Sequence, residues 1–227
     1  MSTEMAVIFD VDGVLINSYR PHFESWRMLA AEHGITMTEQ QFQSTFGRTS
    51  RDIIAHFWGD RLDPARIPAM DEHKEALYRQ IIQRDFPAMP GAAELIDALH
   101  EAGFRLAVGS SGPPQNVDLT LKLLGREGRI HARITGADVQ RGKPDPQVFL
   151  IAADRLGIPP AACAVVEDAP AGITAARAAG MAAIALTGTA DAAGLADADL
   201  VVHSLRDLTP QRIADLIHQR AAQPPQP

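Results

Sequence analysis

Met5-Ala6-Val7-Ile8-Phe9-Asp10-Val11-Asp12-Gly13 carries the strongest fold signal in the chain. An apolar run goes straight into two carboxylates and a glycine. An unbroken run of this length marks a parallel strand buried on both faces, and its acids then lie in the loop at its C-terminal end. Runs of the same kind recur at 104–109, 163–166, 181–186 and 200–202. Between them the apolar spacing is helical, at 91–103, 146–157 and 170–180, and each of these segments ends at a glycine, the usual stop. Strands alternating with helices of this length predict an α/β fold, a doubly wound, Rossmann-like parallel sheet with right-handed crossovers.

One stretch breaks the alternation. From about Tyr19 to Phe86 the periodicity is helical, interrupted near Gly34, Gly47 and Asp63-Pro64, with no convincing strand. Crossovers between parallel strands are far shorter than this. The expected organisation is therefore an α/β core made of residues 1–17 and 88–227, with an inserted α-helical cap domain at 18–87.

The whole-chain totals set further bounds. With 227 residues, 46% of them hydrophobic and 22% charged, the chain can bury a core of ordinary size plus a smaller one. A net charge of −7 argues against a nucleic-acid partner, whose phosphates call for a basic surface. It does not argue against a small anion, which a local cluster of cations can hold. The lone cysteine, Cys163, has no partner for an internal disulfide and sits in an apolar run, so a buried thiol is expected. Met1-Ser2-Thr3-Glu4 lacks the basic start and long apolar stretch of a signal peptide and no run of about 18 apolar residues occurs, so no membrane association is expected and the cytoplasm is the expected compartment. The acidic composition fits a monomer, with a dimer left open.

Four features can carry chemistry. Asp10 and Asp12, beyond a strand and before Gly13, can hold a hard cation through oxygen, and one carboxylate can attack phosphorus while the other handles protons. By itself such a pair can equally be a turn or a calcium loop. Ser110 follows a strand and can bind phosphate oxygens, although Ser110-Ser111-Gly112-Pro113-Pro114 is also turn chemistry. Lys143, in Arg141-Gly142-Lys143-Pro144, can neutralise a carboxylate and a phosphoryl group, or can simply be a solvated loop residue. Glu167-Asp168 ends a strand as Asp10 does and can complete a cation site; alternatively Asp168 caps the helix that begins near Pro170. Ligands of an open parallel sheet bind where strand C-terminal ends converge, and all four features fall at such ends or in a nearby loop.

In this order the segments resemble the haloacid dehalogenase superfamily, and within it the β-phosphoglucomutase-like phosphatases. The resemblance runs from Phe9-Asp10-Val11-Asp12-Gly13-Val14-Leu15 to Val166-Glu167-Asp168-Ala169-Pro170-Ala171-Gly172. It implies that Asp10 is a nucleophile forming an aspartyl-phosphate, that Asp12 is the general acid/base, and that Ser110 and Lys143 bind the transferring phosphoryl group. It also implies Mg²⁺ held by Asp10, the Asp12 carbonyl, Glu167 and Asp168. The dehalogenases lack the second aspartate, so dehalogenation is not the expected reaction. The helical insertion resembles the family's cap. There His22 and Trp26, and again Lys74 and Tyr78, are spaced i and i+4 and match the sugar-phosphate branch, against a plain alternative of core aromatics beside solvated His and Lys. Residues 47–52 resemble the specificity loop, where Arg48 or Arg51 would meet an anionic group or remain a surface arginine. The same resemblance adds Ser111 to the substrate-binding set.

A mutase must grip two phosphates. Its polar Ser-x-Ser-Lys-Asn type segment is replaced here by Ser110-Ser111-Gly112-Pro113-Pro114, and Ser50 stands where the cap arginine is expected. Pro113 lacks even a backbone N–H. The favoured expectation is hydrolysis of a small phosphorylated metabolite such as a sugar phosphate. The alternatives are a β-phosphoglucomutase-type phosphotransferase and a non-catalytic phosphate- or metal-binding module.

Overall fold

The computed structural model describes residues 4–45, 49–59 and 62–222. Its sheet has six strands, β1 (Ala6–Phe9), β2 (Arg105–Gly109), β3 (Ala132–Ile134), β4 (Cys163–Glu167), β5 (Ala182–Leu186) and β6 (Leu200–Val202). Their order is β3-β2-β1-β4-β5-β6, and every pair is parallel. This is the doubly wound α/β architecture expected from the apolar runs, and β1 lies at the point where the strand order reverses. All four residues of β1 and all five of β4 are buried, which accounts for their lack of alternation. Each fully buried Val or Ile there contributes roughly 1.5–3 kcal/mol.

β3 was not expected. Its burial alternates around exposed Arg133, the pattern of an edge strand covered on one face, and three residues are too few for a periodic signal.

The chain divides into two compact units, Met1–Asn17 with Ala88–Pro227, and Ser18–Pro87. In the first, the sheet is flanked by α-helices at Ala92–Glu101, Pro114–Leu124, Gln147–Leu156, Pro170–Ala178 and Pro210–Ala221. Phe149, Ala152, Ile173 and Ala176 from two of these helices pack with Ile8 and Val165. Cys163 is in this core, and burial pushes its thiol up to about 12, so it is a packing residue and not a nucleophile.

The second unit, inserted between β1 and β2, is helical: α1 (Tyr19–Glu32), α2 (Glu39–Gln43), α3 (Ser50–Trp58) and α4 (Ile67–Arg84). Trp26, Leu29, Phe42, Ile54, Trp58 and Leu77 form its own core. Thr38 starts α2 with a capping box closed by Gln41, and Thr49 caps α3 by accepting from the Asp52 N–H. Among the described residues, no helix is long and apolar enough to cross a membrane.

Candidate active site

Register places the site. Phe9 pairs with Val108 on one side and Val166 on the other, so Asp10, Gly109 and Glu167 leave the sheet at one level. The Asp10 N–H donates to the Val166 carbonyl at 2.9 Å, and the Ser110 N–H to the Ile134 carbonyl at 3.0 Å. These bonds hold the nucleophile and hydroxyl candidates on rigid strand ends. Beyond Asp10 the chain folds back at once: Gly13, at φ 79°, donates to the Ile16 carbonyl at 2.8 Å. A Cβ on Gly13 would lie 1.8 Å from Asp168 Oδ2, so no larger residue fits between the turn and that carboxylate.

Lys143 is not a solvated loop residue. Its side chain is 10% exposed, and its Nζ donates to Asp10 Oδ1 at 2.5 Å and to Glu167 Oε1 at 2.7 Å. The other oxygen of Glu167 accepts from the Asp168 and Ala169 N–H groups at 2.8 and 2.9 Å. That corrects the reading of Asp168 as a helix cap: the N-cap of the Pro170–Ala178 helix is Ala169, with no side-chain cap, and Glu167 takes the N–H groups just before it. Asp168 is free to join the acid cluster, where the carboxylates of Asp10, Glu167 and Asp168 approach within 4.8 Å of one another, all buried.

The electrostatics follow from burial. Burial pushes the Asp10 carboxyl well above the usual range, against the pull of Lys143 and with help from Glu167, Asp168 and Asp12. Burial and Glu167 raise Asp168 to about 7, with Thr189 donating a hydrogen bond that opposes the rise. Burial would lower Lys143, but Asp10 and Glu167 outweigh it and hold the ammonium above its ordinary value. The acids outnumber the one ammonium among them, and the donors are all oxygen. Such a set suits a hard divalent cation.

Asp12 is half-buried in the turn beyond Asp10. Its Oδ2 faces Gly112, since a Cβ there would sit 3.7 Å from it and 3.2 Å from Ser110 Oγ. Ser110 is buried, and its Oγ accepts from the Gly112 N–H at 2.9 Å. Ser111 is exposed.

The family model of the haloacid dehalogenase-like hydrolases matches residues 4–180. The chain belongs to this family. The hydrolase is 36% identical to a validoxylamine A 7'-phosphate phosphatase of Streptomyces hygroscopicus subsp. limoneus, over 75% of this chain and 79% of that one. It is 34% identical to hexitol phosphatase A of Escherichia coli, over 73% of this chain and 75% of that one. Among solved structures, a β-phosphoglucomutase from Clostridium difficile superimposes with a TM-score of 0.84 at 25% identity, covering 97% of this chain and 100% of that one.

Two further residues of the hydrolase's core unit escaped the sequence reading. Thr189, in the segment after β5, donates to Asp168. Gly172 lies against Glu167, and a Cβ on it would fall 1.9 Å from the Glu167 carboxyl carbon. Gly172→Ala is therefore expected to displace Glu167 and to cost about 1–3 kcal/mol as overpacking, despite the better helix propensity of alanine. Thermal unfolding checks this: the midpoint should fall below that of wild type.

In the helical unit, Lys74 is 2% exposed, so the alternative of a solvated lysine is corrected. Its Nζ lies 2.9 Å from His22 Nδ1 and donates to Glu75 Oε1 at 2.9 Å. The Trp26 and Tyr78 ring centroids are 5.4 and 5.5 Å from it. His22 stacks on Tyr78 at 4.1 Å, and Trp26 is in the unit's core. Arg51 is exposed, its Nε 3.4 Å from Asp71 Oδ2. Arg48 lies outside the described residues.

Proposed function

We propose that the chain is a magnesium-dependent phosphatase hydrolysing a small phosphomonoester, a sugar phosphate foremost, with Asp10 carrying the phosphoryl group. The observation that carries this reading is the Lys143 ammonium held between Asp10 and Glu167 at the C-terminal end of the central strand, with Ser110 on the neighbouring one. The names of the two phosphatase relatives support a sugar-like phosphate ester as substrate.

Asp10, Glu167 and Asp168, with the Asp12 carbonyl, would hold Mg²⁺, which when bound supplies positive charge to offset that of the phosphoryl group. The remaining steps belong to the chain's own residues. Lys143 favours the ionised form of Asp10, opposing its burial, and draws the phosphoryl oxygens toward it. The Asp10 carboxylate attacks phosphorus in line, and the ester P–O bond breaks as Asp12 gives its proton to the leaving alcohol. Asp12 then takes a proton from the water that attacks the aspartyl-phosphate, releasing inorganic phosphate and restoring Asp10. Ser110 would bind a phosphoryl oxygen throughout. We read the Ser18–Pro87 unit as a cap whose candidate substrate contacts are His22, Lys74, Arg48 and Arg51, with Trp26 packed in its own core, and Ser111 as a candidate contact of the core unit.

Mutase activity is the second reading, favoured by the likeness to a β-phosphoglucomutase. Gly112 and Pro113 weigh against it because neither offers a side-chain donor to a second phosphate. A non-catalytic module is disfavoured by the retention of both Asp10 and Asp12. The test is a panel of sugar phosphates that includes β-glucose 1-phosphate with glucose 1,6-bisphosphate, assayed with Mg²⁺ and then with EDTA. Magnesium-dependent phosphate release supports the phosphatase; glucose 6-phosphate with little free phosphate establishes the mutase.

A further inference from the structure

Lys74 does not present its charge alone. Glu75, the next residue on α4, is itself buried, and its Oε1 accepts from Lys74 Nζ at 2.9 Å and from Ser50 Oγ, at the start of α3, at 3.3 Å. On the other side Lys74 meets His22 Nδ1 at 2.9 Å. An ammonium can only donate, so His22 Nδ1 is its acceptor in this contact. The ammonium and carboxylate, taken together, act on anything beyond them as a dipole and not as a cation. A neutral hydroxyl can bond to either end of such a pair. A phosphate dianion gains little from it and is repelled by the carboxylate.

We propose that Glu75 is a specificity-determining residue, confining the enzyme to monophosphates whose non-reacting end is an uncharged polyol. The inference rests on the reading that Lys74 and His22 meet substrate. It adds that the cap itself discriminates against a second phosphate, independently of what Gly112 and Pro113 withhold in the core unit. Ser50 belongs to the same device: a short hydroxyl stands there where an arginine would counter Glu75 and invite an anion.

The experiment compares phosphate release from fructose 6-phosphate and fructose 1,6-bisphosphate, with Mg²⁺, by wild type, Glu75→Gln and Ser50→Arg. Wild type should favour the monophosphate in kcat/KM by about tenfold or more. Glu75→Gln should narrow that preference about fivefold or more, chiefly through a lower KM for the bisphosphate. Ser50→Arg, at the half-buried start of α3, should narrow it in the same direction and covers the case in which Glu75→Gln does not fold. A wild type that prefers the bisphosphate, or a preference unmoved in the folded variants, overturns the role of Glu75 while leaving the phosphatase intact. No phosphate release from either ester or from p-nitrophenyl phosphate would instead fault the phosphatase reading, and the inference with it.

Discussion

Asp10→Asn yields a folded protein whose phosphate release is lower on the order of 10⁴-fold or more, because the amide fills the same space and cannot attack phosphorus. The stability effect has the opposite sign to an ordinary core lesion. Asp10 is a buried carboxylate whose charge is disfavoured by burial and by Glu167 and Asp168. Replacing it removes that repulsion, and the amide oxygen still accepts from Lys143. The unfolding midpoint without Mg²⁺ should therefore stay at or above that of wild type, while the stabilisation by Mg²⁺ shrinks. Phosphate assays paired with thermal unfolding check both halves. A variant that unfolds would mean that Asp10 is a structural anchor.

Lys143→Met has the second largest expected effect and fails in both respects. It removes the cation shared by Asp10 and Glu167 while leaving the carboxylates buried. Breaking a buried pair by deleting one partner costs about 3–5 kcal/mol. The sign with pH follows from which groups are orphaned. Without Lys143, the Asp10 carboxyl, already pushed up by burial, is harder still to ionise in the folded state than in the unfolded chain. The folded variant then holds protons that the unfolded chain releases, so its stability deficit grows as pH rises through the carboxylate range and shrinks on acidification. Denaturant melts at acid and neutral pH measure this. Catalysis should fall on the order of 10²–10³-fold, the loss expected for a missing charge at the phosphoryl group. A variant as stable and active as wild type would show the ion pair to be incidental.

How far these residues could be read beforehand depended on what sort of order held them. The sheet was legible because β1, β4 and β5 are buried on both faces and so spell out as apolar runs. β3 was not, since exposed Arg133 interrupts a three-residue edge strand. Asp10, Ser110 and Glu167-Asp168 announced themselves by following strands. Lys143 had no such flank: between Gly142 and Pro144 it looks like a surface loop, and what buries it is a carboxylate 133 positions away. The fit of Gly172 against Glu167, and the hydrogen bond from Thr189 to Asp168, are likewise properties of tertiary packing. Lys74 showed helical spacing from Tyr78, but its burial against His22 and Trp26 needed the packing of α1 on α4. Glu75 carried no signal at all, being one more acid on a charged helix.

If the phosphoryl group passes through Asp10 as proposed, it can be trapped there. Asp12→Asn should still take a phosphoryl group from p-nitrophenyl phosphate, whose leaving group needs no proton, but should lack the base that activates water for the second step. The measurement is peptide mass spectrometry of this variant after acid quench during turnover with Mg²⁺. Phosphate on the peptide containing Asp10, absent in the Asp10→Asn/Asp12→Asn double variant, is the predicted result. Nitrophenol release with no phosphoryl group on that peptide would contradict it and leave direct attack by water as the route.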